Sequence, residues 1–206
     1  MTTTGRTAQQ ADAFKRLAAI PMPPRRGPAM TQFVYQEIGR LRSTPPEALA
    51  AALARVPEPK RSGARHEGAH LALALAFGLD IIRAEIDDNG GGAVWLAGLR
   101  TLTPREWGAV ACVGKLTNPG GPMSPDDAAA LNDSAFAACR TGGLVKTHMH
   151  EARRYAGQLL HSYRRSADAL ALLLARFGAI GGDEAETLFA LTCEPFPTHP
   201  YQEHHR

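Results

Sequence analysis

Apolar residues fall at helical spacing through the last third of the chain. Tyr155, Leu159, Tyr163, Leu170, Leu174 and Phe177 form one stripe. It predicts a long amphipathic helix over about 151 to 177, with Arg153, Arg154, Arg164 and Arg165 mostly turned to solvent. A second pattern runs from Arg65 to Gly78. It is rich in Ala and Leu, contains no Pro and stops at a Gly, so it predicts a buried helix with a glycine C-cap. Farther on, Asp80-Ile81-Ile82-Arg83-Ala84-Glu85-Ile86 and Ala93 to Ala97 flank Asp87-Asp88-Asn89-Gly90-Gly91-Gly92. That segment is a turn by composition, and the whole predicts a β-hairpin beside the buried helix. Thr103-Pro104-Arg105-Glu106-Trp107 opens a helix reaching Lys115, and Ser124-Pro125 opens another as N-cap and first helical residue. Gly181-Gly182-Asp183-Glu184 opens a last helix. The fold class that follows is mainly α (α+β), with a small β-hairpin and a C-terminal helical pair.

Prolines divide the chain. Pro21, Pro23, Pro24, Pro28, Pro45, Pro46, Pro57 and Pro59 break residues 1–60 into two or three short helices. The joints at 21–28 and 57–63 read as linkers, and Ser43-Thr44-Pro45-Pro46-Glu47 as a helix entry. The expected organisation is a basic N-terminal segment over 1–60, a compact domain over 61–192, and a tail over 193–206 holding Pro195, Pro197 and Pro200. There is no internal repeat.

Charge and cysteine usage narrow the function classes. The net charge of +3 comes from scattered arginines, and Arg25, Arg26, Lys60, Arg61 and Arg65 are not interleaved with aromatics, so no nucleic-acid partner is expected. Cys112, Cys139 and Cys193 are odd in number and far apart, which fits a reducing cytoplasm and neither a disulfide framework nor a cysteine zinc site. No apolar h-region opens the chain and no run of about 18 apolar residues occurs, so neither secretion nor a membrane span is expected. A phosphate-binding G-x-x-x-x-G-K-[ST] loop is absent too.

The strongest chemical signal is His66-Glu67-Gly68-Ala69-His70. Residues i and i+4 share a helix face, so His66 and His70 can bind one Zn²⁺ while Glu67, beside the first ligand, serves as general base toward water. Two imidazoles and a carboxylate opening an otherwise apolar helix also need partners, which a metal supplies. A catalytic zinc takes three protein ligands. Position 76 is Ala, so the third His of the extended pattern is missing and the ligand must come from elsewhere. Asp126 and Asp127 stand at a helix start after Asn118-Pro119-Gly120-Gly121-Pro122, where ordinary capping would also place acids. His148 and His150 are the rivals. As an H-x-H pair straddling a helix start, they are expected to diverge into solvent. His161, His199, His204 and His205 have no spacing that argues for a site.

The order of these features resembles the peptidase domain of the FtsH-type, ATP-dependent AAA zinc proteases. In that family an HExxH helix is followed by a short β segment, a helix, a loop entering a helix through an Asp ligand, and a helical pair. Over about residues 60–192 the order here is similar, and the resemblance implies a zincin-like domain with Asp127 as third ligand and Asp126 as its alternative. Two departures stand out: Gly68-Ala69 replaces Ala-Gly between Glu and His, and Ala111-Cys112-Val113-Gly114-Lys115 replaces a segment carrying an acid. The expectation is a zinc metallopeptidase with a polypeptide substrate, acting without an ATPase of its own, as a homo-oligomer or beside a separate ATPase or adaptor. The alternative is a non-catalytic helical module with a structural or vestigial zinc site. An edge strand of the hairpin is the candidate for holding a substrate backbone by strand addition.

Overall fold

The fold is that of a computed structural model, described over residues 26–98, 101–120, 123–140, 142 and 144–193. Residues 1–25 and the tail beyond Cys193, with His199, His204 and His205, lie outside the described residues. Eight helices and three strands follow in the order α1 (Pro28–Arg42), α2 (Pro46–Ala54), α3 (Lys60–Ala76), β1 (Asp80–Ile86), β2 (Gly92–Ala97), α4 (Pro104–Thr117), α5 (Pro125–Cys139), α6 (Val145–Ser162), α7 (Arg164–Phe177), β3 (Ala179–Gly181) and α8 (Gly182–Thr192). None of these helices is long and apolar enough to cross a membrane.

The motif helix α3 organises the rest. It is buried through Gly63, Ala64 and the run from Glu67 to Ala74, as expected where its C-terminal half, Leu71 to Ala76, is apolar on all sides. One core packs Ala64, Leu71, Ala72 and Ala74 of α3 with α1, α2, β1, α7 and α8. A second packs Ala69 and Leu73 with α4, α5 and α6. Helix α7 comes closest at Gly68, where a Cβ would stand 2.7 Å from the Ala167 carbonyl oxygen. At its C-terminus Leu79 N–H donates to the Ala74 carbonyl and Gly78 N–H to the Leu75 carbonyl, with Gly78 at φ 70°. That is a Schellman closure, and it needs a residue tolerating positive φ.

The hairpin forms where the composition places it. The Asp87 carboxylate accepts from the N–H groups of Asn89 and Gly91, closing the turn between β1 and β2. A third strand was not anticipated: β3 pairs antiparallel with β1, giving the sheet order β2-β1-β3 and leaving β2 at an edge.

Two other expectations are corrected. The single helix over 151–177 is two helices, broken at Tyr163 (φ −101°, ψ 18°). The buried face of α6 (Ala152, Ala156, Leu159) belongs to one core and that of α7 (Ala169, Leu170, Leu174) to the other, so a straight helix could not fill both. The linker over 57–63 is also shorter than expected, since α3 begins at Lys60. Arg61 N–H donates to the Pro57 carbonyl, and Ser62 N–H to the Glu58 carboxylate, which serves the open first turn.

Candidate metal centre

His66 and His70 project one helical turn apart from α3. Opposite them α5 starts at Ser124, whose Oγ accepts from Asp127 N–H, with Pro125 as first helical residue. This cap aims the Asp127 carboxylate at the two rings. His66 Nε2 stands 3.1 Å from His70 Nε2 and 3.1 Å from Asp127 Oδ2, and His70 Nε2 stands 3.5 Å from Asp127 Oδ1. With bonds of about 2.0–2.1 Å to a tetrahedral centre, ligand atoms lie roughly 3.3 Å apart. The three donors therefore have the spacing that a zinc-sized ion requires. Asp126 is exposed at the rim and stands outside this cluster.

The protonation pattern agrees with the geometry. Burial pulls the His66 pKa down, but the hydrogen bond to Asp127 and the charges of Glu67 and Asp127 outweigh it and leave it raised. The His66 ring also hydrogen-bonds the backbone of Gly114 in a way that favours the charged ring, so the carbonyl accepts. Since Nε2 faces Asp127, the donor is Nδ1. A neutral His66 with its proton on Nδ1 then points a bare Nε2 lone pair at a carboxylate and at a second imidazole. A proton on His70 Nε2 or on His66 Nε2, or a metal ion between the three, relieves that opposition. Burial pushes Asp127 up, yet the hydrogen bonds from His66 and His70 hold its carboxyl well below the usual carboxylate range. Its anionic form is the one a metal takes.

Glu67 is buried on the adjoining face, 6 % exposed. Burial raises its pKa, against the lowering influence of His70 and His66. Its side chain lies over Gly92, where a Cβ would come within 2.8 Å of Glu67 Cγ, so β2 passes close only because that residue is Gly. His66, Glu67, His70 and Asp127 share a pocket of about 360 Å³. One wall is edge strand β2 through Gly92, Ala93, Val94 and Leu96; the other is Trp107 and Val110 of α4 with Ala130 of α5.

Neither histidine rival lines this pocket. His150 is exposed, whereas His148 is buried, contrary to the expectation of a solvated ring. Because α6 starts at Val145, His148 is already inside the helix and faces α5, with Nε2 3.1 Å from Ser134 Oγ. Burial lowers its pKa, partly offset by Glu151. Cys112 is buried too, and desolvation pushes its thiol up to about 11, which makes it a packing residue.

Sequence reasoning missed Gly114. A Cβ there would stand 2.5 Å from His66 Nε2 and 2.6 Å from Nδ1, so the imidazole occupies the space a side chain would fill. The available signal was an isolated glycine inside an apolar helix, which usually has a packing reason. Comparison with protein-family models, curated proteins and solved structures yields no match to this chain. The likeness to the FtsH-type peptidases thus rests on the order of motifs alone.

Proposed function

We propose that the chain is a zinc-dependent metallopeptidase of zincin-like arrangement, acting on polypeptide. The observation that carries this reading is the set of three donors at tetrahedral spacing beside a buried Glu, in a pocket bordered by an edge strand. Among the described residues no fourth His, Cys, Asp or Glu joins the cluster, which favours an open site over a closed structural one.

His66 and His70 would hold the ion as neutral imidazoles, and Asp127 would add a compensating negative charge. A divalent ion bound there supplies Lewis acidity toward the peptide carbonyl and lowers the pKa of water to about 7. Glu67 takes the proton from water as its oxygen adds to the carbonyl carbon, then delivers that proton to the amine nitrogen as the C–N bond breaks. Burial raises its pKa, the direction that strengthens it as a base toward water. A peptide laid along β2 would be held by main-chain hydrogen bonds. The wall of Val94, Leu96, Trp107 and Val110 would favour an apolar side chain beside the cut.

The test is metal content of the purified chain beside His70→Ala and Asp127→Ala, followed by a peptidase assay with Glu67→Gln. Stoichiometric zinc in the wild type, lost from both ligand variants, is expected. Activity should fall by about 10²-fold or more in Glu67→Gln while the metal stays bound. Undiminished activity in Glu67→Gln would remove the catalytic reading, and metal indifferent to His70 would remove the site. A different first-row ion in the wild type would keep the mechanism and change the metal.

A further inference from the structure

On another face of the molecule α1, α2 and α7 enclose a cleft that the metal site does not use. It consists of a hollow of about 230 Å³ and a larger one of about 570 Å³. Arg40, Ala52, Arg55 and Leu172 line both, so the two adjoin at that point. The smaller hollow is mostly apolar, with Leu41, Ala48, Leu49 and Ala51 around it. The larger has Val56, Leu172 and Ala175 among its apolar lining and a cationic rim of Arg40, Arg55, Lys60 and Arg176.

The rim is organised rather than scattered. Glu37, 6 % exposed, accepts from Arg40 Nε at 3.0 Å and Arg40 Nη2 at 2.6 Å, and pairs with Arg176 Nη1 at 3.0 Å. One buried carboxylate thus fixes two guanidinium groups. Each keeps N–H donors beyond those spent on Glu37, and Arg176 is further held over the Phe33 ring at 5.1 Å. Lys60 pairs with Asp88 at 2.7 Å, whereas Arg55 makes no ion pair among the described residues. Four cations against two carboxylates leave a formal excess of two positive charges around the larger hollow.

We propose that this cleft binds a small amphipathic phosphate monoester, with the phosphate between Arg40, Arg55 and Arg176 and an apolar tail in the hollow beside Leu41 and Leu49. The charge matches: a monoester carries about −1.5 to −2 at neutral pH. The donors match as well, because preorganised guanidinium groups are the side chains that recognise phosphate oxygens in pairs. The larger hollow, at about 570 Å³, lies in the range of about 300–1,000 Å³ common to small-molecule sites, which favours a small ligand over a protein partner. The inference is independent of the peptidase reading.

The probe is octyl phosphate, titrated calorimetrically into the full chain, with inorganic phosphate, octanoate and 1-octanol as comparison ligands. The wild type should bind octyl phosphate at least about tenfold more tightly than any of the other three. Affinity should weaken by about tenfold or more in Arg55→Gln, in Arg176→Gln, where Glu37 keeps its Arg40 partner, and in Ala52→Leu, which fills the junction. It should be unchanged in the exposed control Arg154→Gln, and circular dichroism should show all four variants folded. Absence of binding, binding insensitive to Arg55 and Arg176, or equal affinity for octanol would overturn the proposal. Tighter binding of octanoate than of octyl phosphate would also overturn it, assigning the cleft to carboxylates.

Discussion

A glycine decides whether His66 can be a ligand. At Gly114 an added methyl would overlap the imidazole, while at Gly39, on the exposed side of α1, it would meet nothing within 4 Å. Both residues are inside helices, where Ala is favoured over Gly by about 1 kcal/mol. Gly39→Ala should therefore raise stability by about that amount. Gly114→Ala should lose it to overpacking of about 1–3 kcal/mol and, by displacing the His66 ring, weaken zinc binding by about tenfold or more. Chelator competition and thermal melts on the two variants check this, and a Gly114→Ala protein with wild-type zinc affinity would refute the assigned role. His66, Glu67 and His70 were legible as residues because their relation is local, one turn of one helix. Gly114 was not, since what forbids a side chain there belongs to an element 48 residues earlier in the chain.

At the scale of elements, the entry to α5 is where local stability and the site meet. Ser124 caps the helix through Asp127 N–H at 3.1 Å, so the cap and the carboxylate belong to the same turn. Replacing an N-cap Ser by Ala costs about 1 kcal/mol. If that cost falls on the turn carrying Asp127, Ser124→Ala should weaken zinc affinity by about fivefold, with faster amide exchange confined to the start of α5. Unchanged exchange and affinity would separate the cap from the site. This entry was readable because Ser-Pro followed by acids is a local start signal. The break at Tyr163 was not. No Pro or Gly marks it, and the chain bends there because Leu159 and Leu170 must enter different cores. Strand β3 escaped for a related reason, since three residues carry no alternation and become a strand only by pairing with β1.

At the scale of the molecule, α3 separates two cores, with the candidate metal pocket on one side and the cationic cleft on the other, and Glu37 links stability to pH. The hydrogen bond from Arg40 is the largest influence lowering its pKa; burial opposes it, and the Arg40 and Arg176 charges add to the lowering. A folded pKa below the ordinary 4.5 means that the unfolded chain binds the proton more readily. The stabilisation is then fully present above 4.5 and disappears as pH falls through the lower folded value. Arg40 is 54 % and Arg176 45 % exposed, so solvent screening limits the pairing to about 1 kcal/mol. Glu37→Gln should accordingly be less stable than the wild type by about that amount at neutral pH, and the gap should narrow progressively as pH falls below the ordinary 4.5. His148, held neutral by burial, acts earlier in an acid titration, from its ordinary 6.5 downward, and is common to both proteins. It cancels in the difference, so urea denaturation of the pair across this range isolates Glu37. A difference that stayed constant down to the acid limit would mean that the carboxylate charge contributes nothing, and that the arginines of the cleft are held by packing alone.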